Sequence, residues 1–394
     1  MRIPLLDLTR QHHLIENEVM AAVSHCFQTQ QFVLGATVEN FEKAFCEAFD
    51  CEHAVGMSSG TDAQLAILMA LGIGPNDAVI TTPYTFFATA GCIQRVGAEV
   101  VFVDVLPDTL HMSPARLEAY LRDHCTQADG QLKTPSGKVV KAIIPIHLFG
   151  SICRMAEIQK LAREFDLTVI EDAAQAAGAE YPGQNGPVRA GAIAECAYFS
   201  FFPTKNLGGA GDGGMAVCRD ADFAHKLRLM RNHGMEDRYF HRVVGGNFRL
   251  DALQAAVLAV KLPHLENWNA QRRTNANLYR EAFTSLGILD HIQLPTEPWA
   301  DSGLLNHHTY HQYVVRASRR DELKASLAEK GVGHAVYYPV PLHLQECFSP
   351  LGYKKGDMPE SEKASEDSLA LPIFPELTQD EISATAEAIA AFYR

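Results

Sequence analysis

Short runs of apolar residues alternate with longer amphipathic segments between about residues 50 and 220. Nearly continuous runs rich in Val, Ile, Phe and Ala are typical of strands that are covered on both faces. We predict six such strands, at 78–81, 100–104, 142–147, 167–172, 197–201 and 214–218. Helical patterns separate several of them, at 62–72, 87–97 and 154–166. This succession predicts an α/β fold with a mostly parallel central sheet flanked by helices.

The pattern changes after about residue 250. Residues 250–283 are typical of one or two long helices, with a break or kink at Pro263. An α+β pattern follows, with apolar runs at 310–316 and 334–339, a helix at 321–331 and a last helix from about residue 380. We therefore predict a large domain over residues 1–257 and a smaller C-terminal α+β domain over residues 258–394. The N-terminal helix is a candidate to pack on the smaller domain.

The composition of the chain argues against several classes of function. The 394 residues carry a formal net charge of −13 and 47% hydrophobic residues, which is ordinary for a soluble globular protein. An acidic chain without a basic run is a poor candidate for nucleic-acid binding, which relies on Lys and Arg. The apolar stretches are shorter than a membrane helix requires, and the first residues lack a signal-peptide core. The nine cysteines form no CxxC pair, so we expect reduced thiols in a cytoplasmic protein.

A possible phosphate site begins the first of the predicted helices. Ser59, Gly60 and Thr61 stand directly before an apolar periodic segment. A helix that starts with small and hydroxyl-bearing residues exposes free N–H groups and the positive end of its dipole, which together bind phosphate. Taken alone, these residues are better explained as an ordinary helix N-cap.

Two carboxylates end the predicted strand 167–172. Open α/β sheets place their ligands at the carboxyl ends of strands, so Glu171 and Asp172 are site candidates. Adjacent strand residues point to opposite faces, which means that only one of them can face a site and that they are not an acid/base pair. Gln175 follows and is expected beside Asp172. The alternative for Asp172 is a structural helix cap.

Lys205 follows another strand end, within SFFPTKNLGGAGDGG at 200–214. Pro203 suits a chain that leaves the sheet, and the glycines after it permit sharp turns. Residues 209–214 match GxGxxG, but they lead into the strand 214–218 instead of opening a helix, which argues against a dinucleotide site.

Together, these three features fit one organic cofactor, pyridoxal 5′-phosphate (PLP). Its phosphate requires an anchor, its ring nitrogen a carboxylate that keeps it protonated, and its aldehyde a lysine amine for imine formation. We predict that residues 59–61, Asp172 and Lys205 supply these groups.

The chain also closely resembles the DegT-type PLP-dependent nucleotide-sugar aminotransferases, within the fold-type I (aspartate aminotransferase) superfamily. The resemblance runs almost from end to end in an ordered set of motifs. Its segments are IPLLDL (3–8), FVLGATVENFE (32–42), SSGTDAQLA (58–66), PYTFFATA (83–90), VFVDV (101–105), IPIHLFG (144–150), EDAAQAAGA (171–179), SFFPTKNLG (200–208), GGNFRLDALQAA (245–256), HTYHQYVV (308–315), YYPVPLH (337–343) and LALPIFP (369–375).

The resemblance implies a role for each matching position. Lys205 would be the catalytic residue, holding PLP and moving a proton, and Asp172 would pair with the ring nitrogen. The other cofactor contacts would be Gln175 near the ring hydroxyl, Phe86 stacked on the ring, Gly60, Thr61 and Ser200 at the phosphate, and Asn247 from a partner subunit. Arg249 would lie near the sugar nucleotide. Because Asn247 would come from the partner subunit, the resemblance implies a homodimer with shared active sites.

Tyr337 and Tyr338 are predicted substrate contacts. Where many relatives carry His-Tyr-Pro, this chain has Tyr337-Tyr338-Pro339, so any contact made by that histidine differs here.

The histidines are weaker candidates. His307 and His311 have the i, i+4 spacing of a helical metal site, but the strand-like pattern at 310–316 breaks that geometry, and we expect no metal. His147 ends a predicted strand and is either a wall of the site or a satisfied buried residue.

The interpretation is a transaminase that moves an amino group, with glutamate as the expected donor, to a nucleotide-linked keto-sugar in amino-sugar and polysaccharide biosynthesis. A free cyclic ketone such as a keto-inositol is an alternative acceptor. Sugar dehydration is disfavoured, because relatives that dehydrate are expected to lack the lysine. A PLP-binding regulator without turnover is an alternative from another class, although no DNA-binding segment is visible in the sequence.

Overall fold

The computed structural model describes residues 2–394. Its helices, numbered α1 to α12 in chain order, are Leu8–Thr29, Ala36–Phe49, Gly60–Ala70, Ala88–Arg95, Pro114–Ala119, Met155–Glu164, Ala221–Arg231, Ala252–Lys261, Leu265–Leu286, Arg320–Glu329, Pro359–Asp367 and Gln379–Tyr393. Its strands, numbered β1 to β16, are His53–Met57, Asp77–Thr81, Glu99–Phe102, Thr126–Ala128, Gln131–Lys133, Val139–Ile143, Thr168–Asp172, Glu180–Gly183, Gly186–Arg189, Cys196–Ser200, Gly214–Cys218, Met235–Asp237, Phe240–His241, Ile292–Gln293, Tyr313–Ala317 and Ser368–Leu371.

The central sheet has the strand order β1-β11-β10-β7-β6-β2-β3, with the small strands β4 and β5 attached beside β6. The pairs from β10 through β7, β6 and β2 to β3 are parallel, whereas β11 runs antiparallel to both β10 and β1. The expectation of a mostly parallel sheet is therefore confirmed. The carboxyl ends of β7 and β10 meet at one edge, which is where ligands bind in such sheets.

An apolar core lies on each face of this sheet. One core contains Phe41 and Phe45 of α2 and Leu258 of α8. The core on the opposite face contains Leu68 of α3 and Leu227 of α7. Because both faces are covered, the strands carry the nearly continuous apolar runs from which they were predicted.

The C-terminal part has a core of its own. Residues of α9, β15 and α12 pack together there, and Ile3 from the start of the chain joins them. Helix α1 packs mainly against α8 and against Trp268 of α9. The predicted boundary at 257/258 falls inside α8, and the division into two domains stays a prediction.

Two local expectations differ from the structure. Residues 334–339 do not form a strand, because only Ala335 makes a bridge there, to Ala370. The run at 310–316 becomes a strand only from Tyr313 onward, since the preceding residues turn around the site. The break predicted at Pro263 is present as one 3₁₀ turn, Leu262–His264, between α8 and α9.

None of the helices within residues 2–394 is long and apolar enough to cross a membrane.

Candidate active site

A cavity of about 460 Å³ lies at the carboxyl ends of β7 and β10. The structure brings nine of the eleven predicted site residues to its wall: Gly60, Thr61, Phe86, Asp172, Gln175, Ser200, Lys205, Tyr337 and Tyr338. These residues come from segments that are far apart in sequence. The fold therefore assembles one site from the separate motifs.

The two adjacent carboxylates at the end of β7 point in opposite directions, as expected for neighbouring strand residues. Asp172 lines the cavity, where its Oδ2 atom accepts hydrogen bonds from Tyr198 Oη at 2.6 Å and Thr89 Oγ1 at 2.8 Å. Glu171 is fully buried on the other side and accepts backbone N–H bonds from Gly191, Ile193 and Ala194. Glu171 is therefore a structural anchor, and only Asp172 is available to a ligand.

Lys205 lies in the turn that follows β10, with its backbone N–H bonded to the carbonyl of Phe202 at 2.8 Å. Burial lowers the pKa of its side chain to about 8, although the negative charge of Asp172 acts in the opposite direction. At that pKa about a fifth of the amine is neutral near physiological pH, far more than for an ordinary lysine, and nucleophilic attack and proton abstraction both require the neutral form.

Asn206 fixes the segment that carries Lys205. This buried side chain donates to Asn269 Oδ1 at 2.8 Å and to the Thr309 carbonyl at 2.9 Å, while its own Oδ1 lies 3.2 Å from His311 Nδ1. The lysine turn is thus tied both to α9 and to the segment before β15.

The N-terminus of α3 forms another wall. Ser59 caps the helix by accepting the N–H of Asp62 at 3.0 Å, and the N–H of Ala63 bonds the Ser59 carbonyl. The N–H groups of Gly60 and Thr61 are left for an anion. A Cβ atom at Gly60 would stand only 2.8 Å from Ser200 Cβ, so glycine permits this close approach of α3 to β10.

Gln175 connects the cavity to the segment around 337–338. Its Nε2 donates to Tyr338 Oη at 3.0 Å, and its Oε1 accepts the N–H of Phe149 at 2.9 Å. The neighbouring backbone is fixed by Tyr84, whose hydroxyl donates to the Tyr337 carbonyl. Gln175 and both tyrosines are therefore held in place within the protein.

Two predicted residues, Phe86 and Asn247, are exposed, and Arg249 is half-buried. Phe86 is 61% exposed at the cavity mouth. Asn247 is exposed, and Arg249 donates to Asn232 Oδ1 at 2.8 Å. Asn247 and Arg249 lie outside the set of residues that lines the cavity of their own chain.

The alternatives left open for His147 are resolved by its surroundings. It is fully buried outside the cavity lining, bonds Glu171 at 3.0 Å and accepts the N–H of Cys153 at Nδ1. Of the two alternatives, His147 is therefore the buried residue with satisfied hydrogen bonds, and it is not a wall of the site. His311, in contrast, lines the cavity, and burial together with the charge of Lys205 holds its pKa well below the ordinary value. Within residues 2–394, no cluster of three or more His, Cys, Asp or Glu side chains is arranged to hold a metal ion.

The family model that matches the chain is that of the DegT/DnrJ/EryC1/StrS aminotransferases, over residues 13–390. The chain belongs to this family. The predicted family and the fold-type I architecture are both confirmed, and the aminotransferases of this family use PLP.

Three similar proteins illustrate the match. The pleiotropic regulatory protein of Geobacillus stearothermophilus is 44% identical, over 100% of this chain and 99% of that protein. A UDP-N-acetyl-3-dehydro-alpha-D-glucosamine 3-aminotransferase of Acidithiobacillus ferrooxidans is 39% identical, over 98% and 97%. The crystal structure of S. venezuelae DesV in complex with a ketimine intermediate is 34% identical, covers 99% of this chain and 98% of its own, and superposes with a TM-score of 0.89.

The cavity suits the cofactor of the family. It combines an amine of lowered pKa at Lys205, a carboxylate at Asp172 and the N–H groups at the start of α3. These groups match the aldehyde, the ring nitrogen and the phosphate of PLP. The donor set therefore fits a PLP-dependent aminotransferase of the DegT/DnrJ/EryC1/StrS family.

Several cavity residues were missed from the sequence, among them Thr89, Tyr198 and His311. Tyr198 could have been found, because strand residues two apart share a face and Ser200 was already a candidate. Thr89 gives no such signal, since it reaches Asp172 from α4 across the sheet edge.

Proposed function

We propose that this aminotransferase moves an amino group from glutamate to a keto-sugar linked to a nucleotide, in the biosynthesis of amino sugars. The observation that carries the proposal is that Lys205, Asp172 and the start of α3 line one cavity. Relatives named as aminotransferases of nucleotide-linked sugars, at 39% and 36% identity, support the acceptor class.

PLP, when bound, supplies an electron sink for the carbon that gains or loses the amino group. In our proposal Asp172 keeps the ring nitrogen protonated, and Gln175 lies beside the ring hydroxyl. Gly60, Thr61 and Ser200 hold the phosphate, and Phe86 covers a face of the ring. The side-chain hydrogen bonds of Asp172 and Gln175 support these roles, because they fix both groups before any ligand enters.

Lys205 is the proposed acid and base. Its Nζ atom would carry a proton between the substrate carbon and the carbon that forms the aldehyde of free PLP, and the amine must be neutral to accept that proton. A pKa of about 8 makes the amine available near neutral pH. The hydrogen bonds of Asn206 keep the turn in place during this transfer.

We propose a homodimer with shared active sites. Phe86, Phe202, Phe240 and Val244 are each at least 50% exposed, and the aromatic side chains among them are of the kind that protein interfaces commonly bury. Asn247 lies in the same segment as Phe240 and Val244. In the dimer it would reach the phosphate of the partner's cofactor, with Arg249 near the sugar nucleotide.

Tyr337 and Tyr338 are proposed substrate contacts. Their position in the cavity wall supports this role, as does the 3.0 Å bond that holds the Tyr338 hydroxyl to Gln175. We also propose a cytoplasmic location, which suits nine free cysteines and a nucleotide-linked substrate.

The test is amino transfer from glutamate to a panel of nucleotide-linked keto-sugars and a keto-inositol, measured as 2-oxoglutarate formed. We expect turnover with at least one nucleotide-linked sugar, and its loss in Lys205→Ala. Turnover restricted to the keto-inositol would contradict the acceptor class.

The relative named pleiotropic regulatory protein favours a second candidate, a PLP-binding regulator. PLP binding at Lys205 without turnover on any acceptor would support that candidate and contradict the first.

A further inference from the structure

Two cysteines flank the turn between α2 and β1. Helix α2 ends at Phe49, and the next residue, Asp50, adopts the left-handed conformation with φ 53°. The N–H of Cys51 then bonds the carbonyl of Cys46 at 3.2 Å. This bond back across six residues is the mark of a Schellman-type helix cap, in which the two side chains that it connects commonly touch.

The same bond limits the distance between the two cysteines. Their Cα atoms cannot be more than about 7 Å apart, because the covalent bonds on either side of the 3.2 Å contact add at most about 4 Å. A disulfide spans a Cα separation of about 4.4–6.8 Å. The helix cap therefore holds Cys46 and Cys51 within the reach of a disulfide.

The two thiols also affect each other's protonation. The Cys51 side chain lowers the pKa of the Cys46 thiol, and this effect outweighs burial. The Ala54 N–H and the charge of Arg228 act in the same direction as Cys51. The pKa of the Cys51 thiol is raised, because its proton is held in a hydrogen bond with Cys46 and because burial disfavours its thiolate. Since the thiolate is the nucleophilic form, Cys46 is the reactive sulfur of the pair.

We propose that Cys46 and Cys51 are a reversible oxidation site, at which hydrogen peroxide converts two thiols to a disulfide. The Cys46 sulfur attacks one peroxide oxygen, the O–O bond breaks, and the released oxygen leaves as water, so that Cys46 becomes a sulfenic acid. The Cys51 sulfur then attacks the Cys46 sulfur, the S–S bond forms, and a second water leaves with the Cys51 proton. Both sulfurs are oxidised, and both peroxide oxygens are reduced to water.

The site is accessible and separate from the cofactor cavity. Both cysteines are half-buried, and Cys51 lines another cavity, of about 320 Å³. Neither residue belongs to the lining of the cavity that contains Lys205. The inference therefore goes beyond the proposed function and does not rest on it. In a reducing compartment such a disulfide is transient, as in other redox-sensing proteins.

The experiment treats the reduced full-length protein with one equivalent of hydrogen peroxide, alkylates the remaining thiols under denaturing conditions and digests the chain at glutamates. Glu47 lies between the two cysteines, so cleavage there leaves two peptides that only a disulfide holds together. We expect this linked pair in the mass spectrum, and its loss on reduction with dithiothreitol. The exposed Cys347 is the internal control, because a reaction governed by exposure alone would oxidise it first.

Two variants separate the roles of the sulfurs. In Cys51→Ser we expect a sulfenic acid at Cys46 that dimedone traps, because no neighbouring thiol resolves it. In Cys46→Ser we expect Cys51 to remain a thiol at the same amount of peroxide.

Oxidation of Cys347 without a link between Cys46 and Cys51 would overturn the inference. A link from Cys51 to Cys218, the other thiol that lines the 320 Å³ cavity, would overturn it as well. Both outcomes are observed on the wild-type protein, so they do not depend on whether a variant folds.

Discussion

The contact between α3 and β10 can be tested with one methyl group. In Gly60→Ala, the added Cβ would stand 2.8 Å from Ser200 Cβ and 3.2 Å from Ser200 Cα. Both neighbours belong to a strand of the central sheet, so neither can turn aside as the end of a long side chain would. The start of α3 must therefore move relative to Ser200, and both are proposed to hold the phosphate.

The magnitude follows from the cost of overpacking, about 1–3 kcal/mol for an extra methylene group in a packed site. If that cost falls on the phosphate contacts, PLP affinity drops about 5- to 150-fold. Alanine also favours a helix over glycine by about 0.5–1 kcal/mol, which offsets part of the cost in the apo-protein. We therefore expect a large effect on cofactor binding and a small one on apo-protein stability.

The assay is a titration of apo-protein with PLP, together with thermal unfolding in the absence of the cofactor. Gly74→Ala is the matched control, because its Cβ would have no neighbour closer than the Val96 carbonyl oxygen at 4.0 Å. Wild-type PLP affinity in Gly60→Ala would refute the reasoning, since it would mean that the contact with Ser200 does not shape the phosphate site.

Two further predictions concern buried charges. The rate at which apo-protein attaches PLP should rise with pH through a midpoint near pH 8, because only the neutral amine of Lys205 reacts. A midpoint at about pH 10, as for an ordinary lysine, would contradict this. Glu171→Gln should lower the free energy of unfolding in urea by about 3 kcal/mol, because an amide cannot replace a carboxylate that accepts three backbone N–H bonds. The exposed control Glu157→Gln should cost less than about 0.5 kcal/mol, and equal losses in the two variants would disprove the anchoring role of Glu171.

The elements that could be predicted are those whose burial leaves a pattern in the sequence. Strands covered on both faces appear as apolar runs, and the six predicted between about residues 50 and 220 are all present. Strand β1 was missed because His53 and Gly56 interrupt its apolar run, although the strand pairs with β11 at the edge of the sheet. Residues 334–339 were wrongly expected to be a strand, since Tyr337 and Tyr338 line a cavity and do not pack on a pleated surface.

Within the site, the residues predicted from local position lie where that position implies. Asp172 ends β7 and Lys205 follows β10, and these two strands are paired and parallel, so the fold brings the two residues together. Contacts made across the fold could not be predicted in this way. Thr89 reaches Asp172 from α4, and His311 reaches the cavity from the segment before β15. Each of these residues is far in sequence from the residue it bonds, so no local motif connects the two.

The assignment of Lys205 is tested by locating the covalent link between the cofactor and the chain. The full-length protein would be incubated with PLP, reduced with borohydride, digested and analysed by mass spectrometry. We predict one added reduced cofactor, on the peptide that contains Lys205, and none in Lys205→Ala. A cofactor attached at another lysine, or none on the wild-type protein, would contradict the proposal that Lys205 binds PLP.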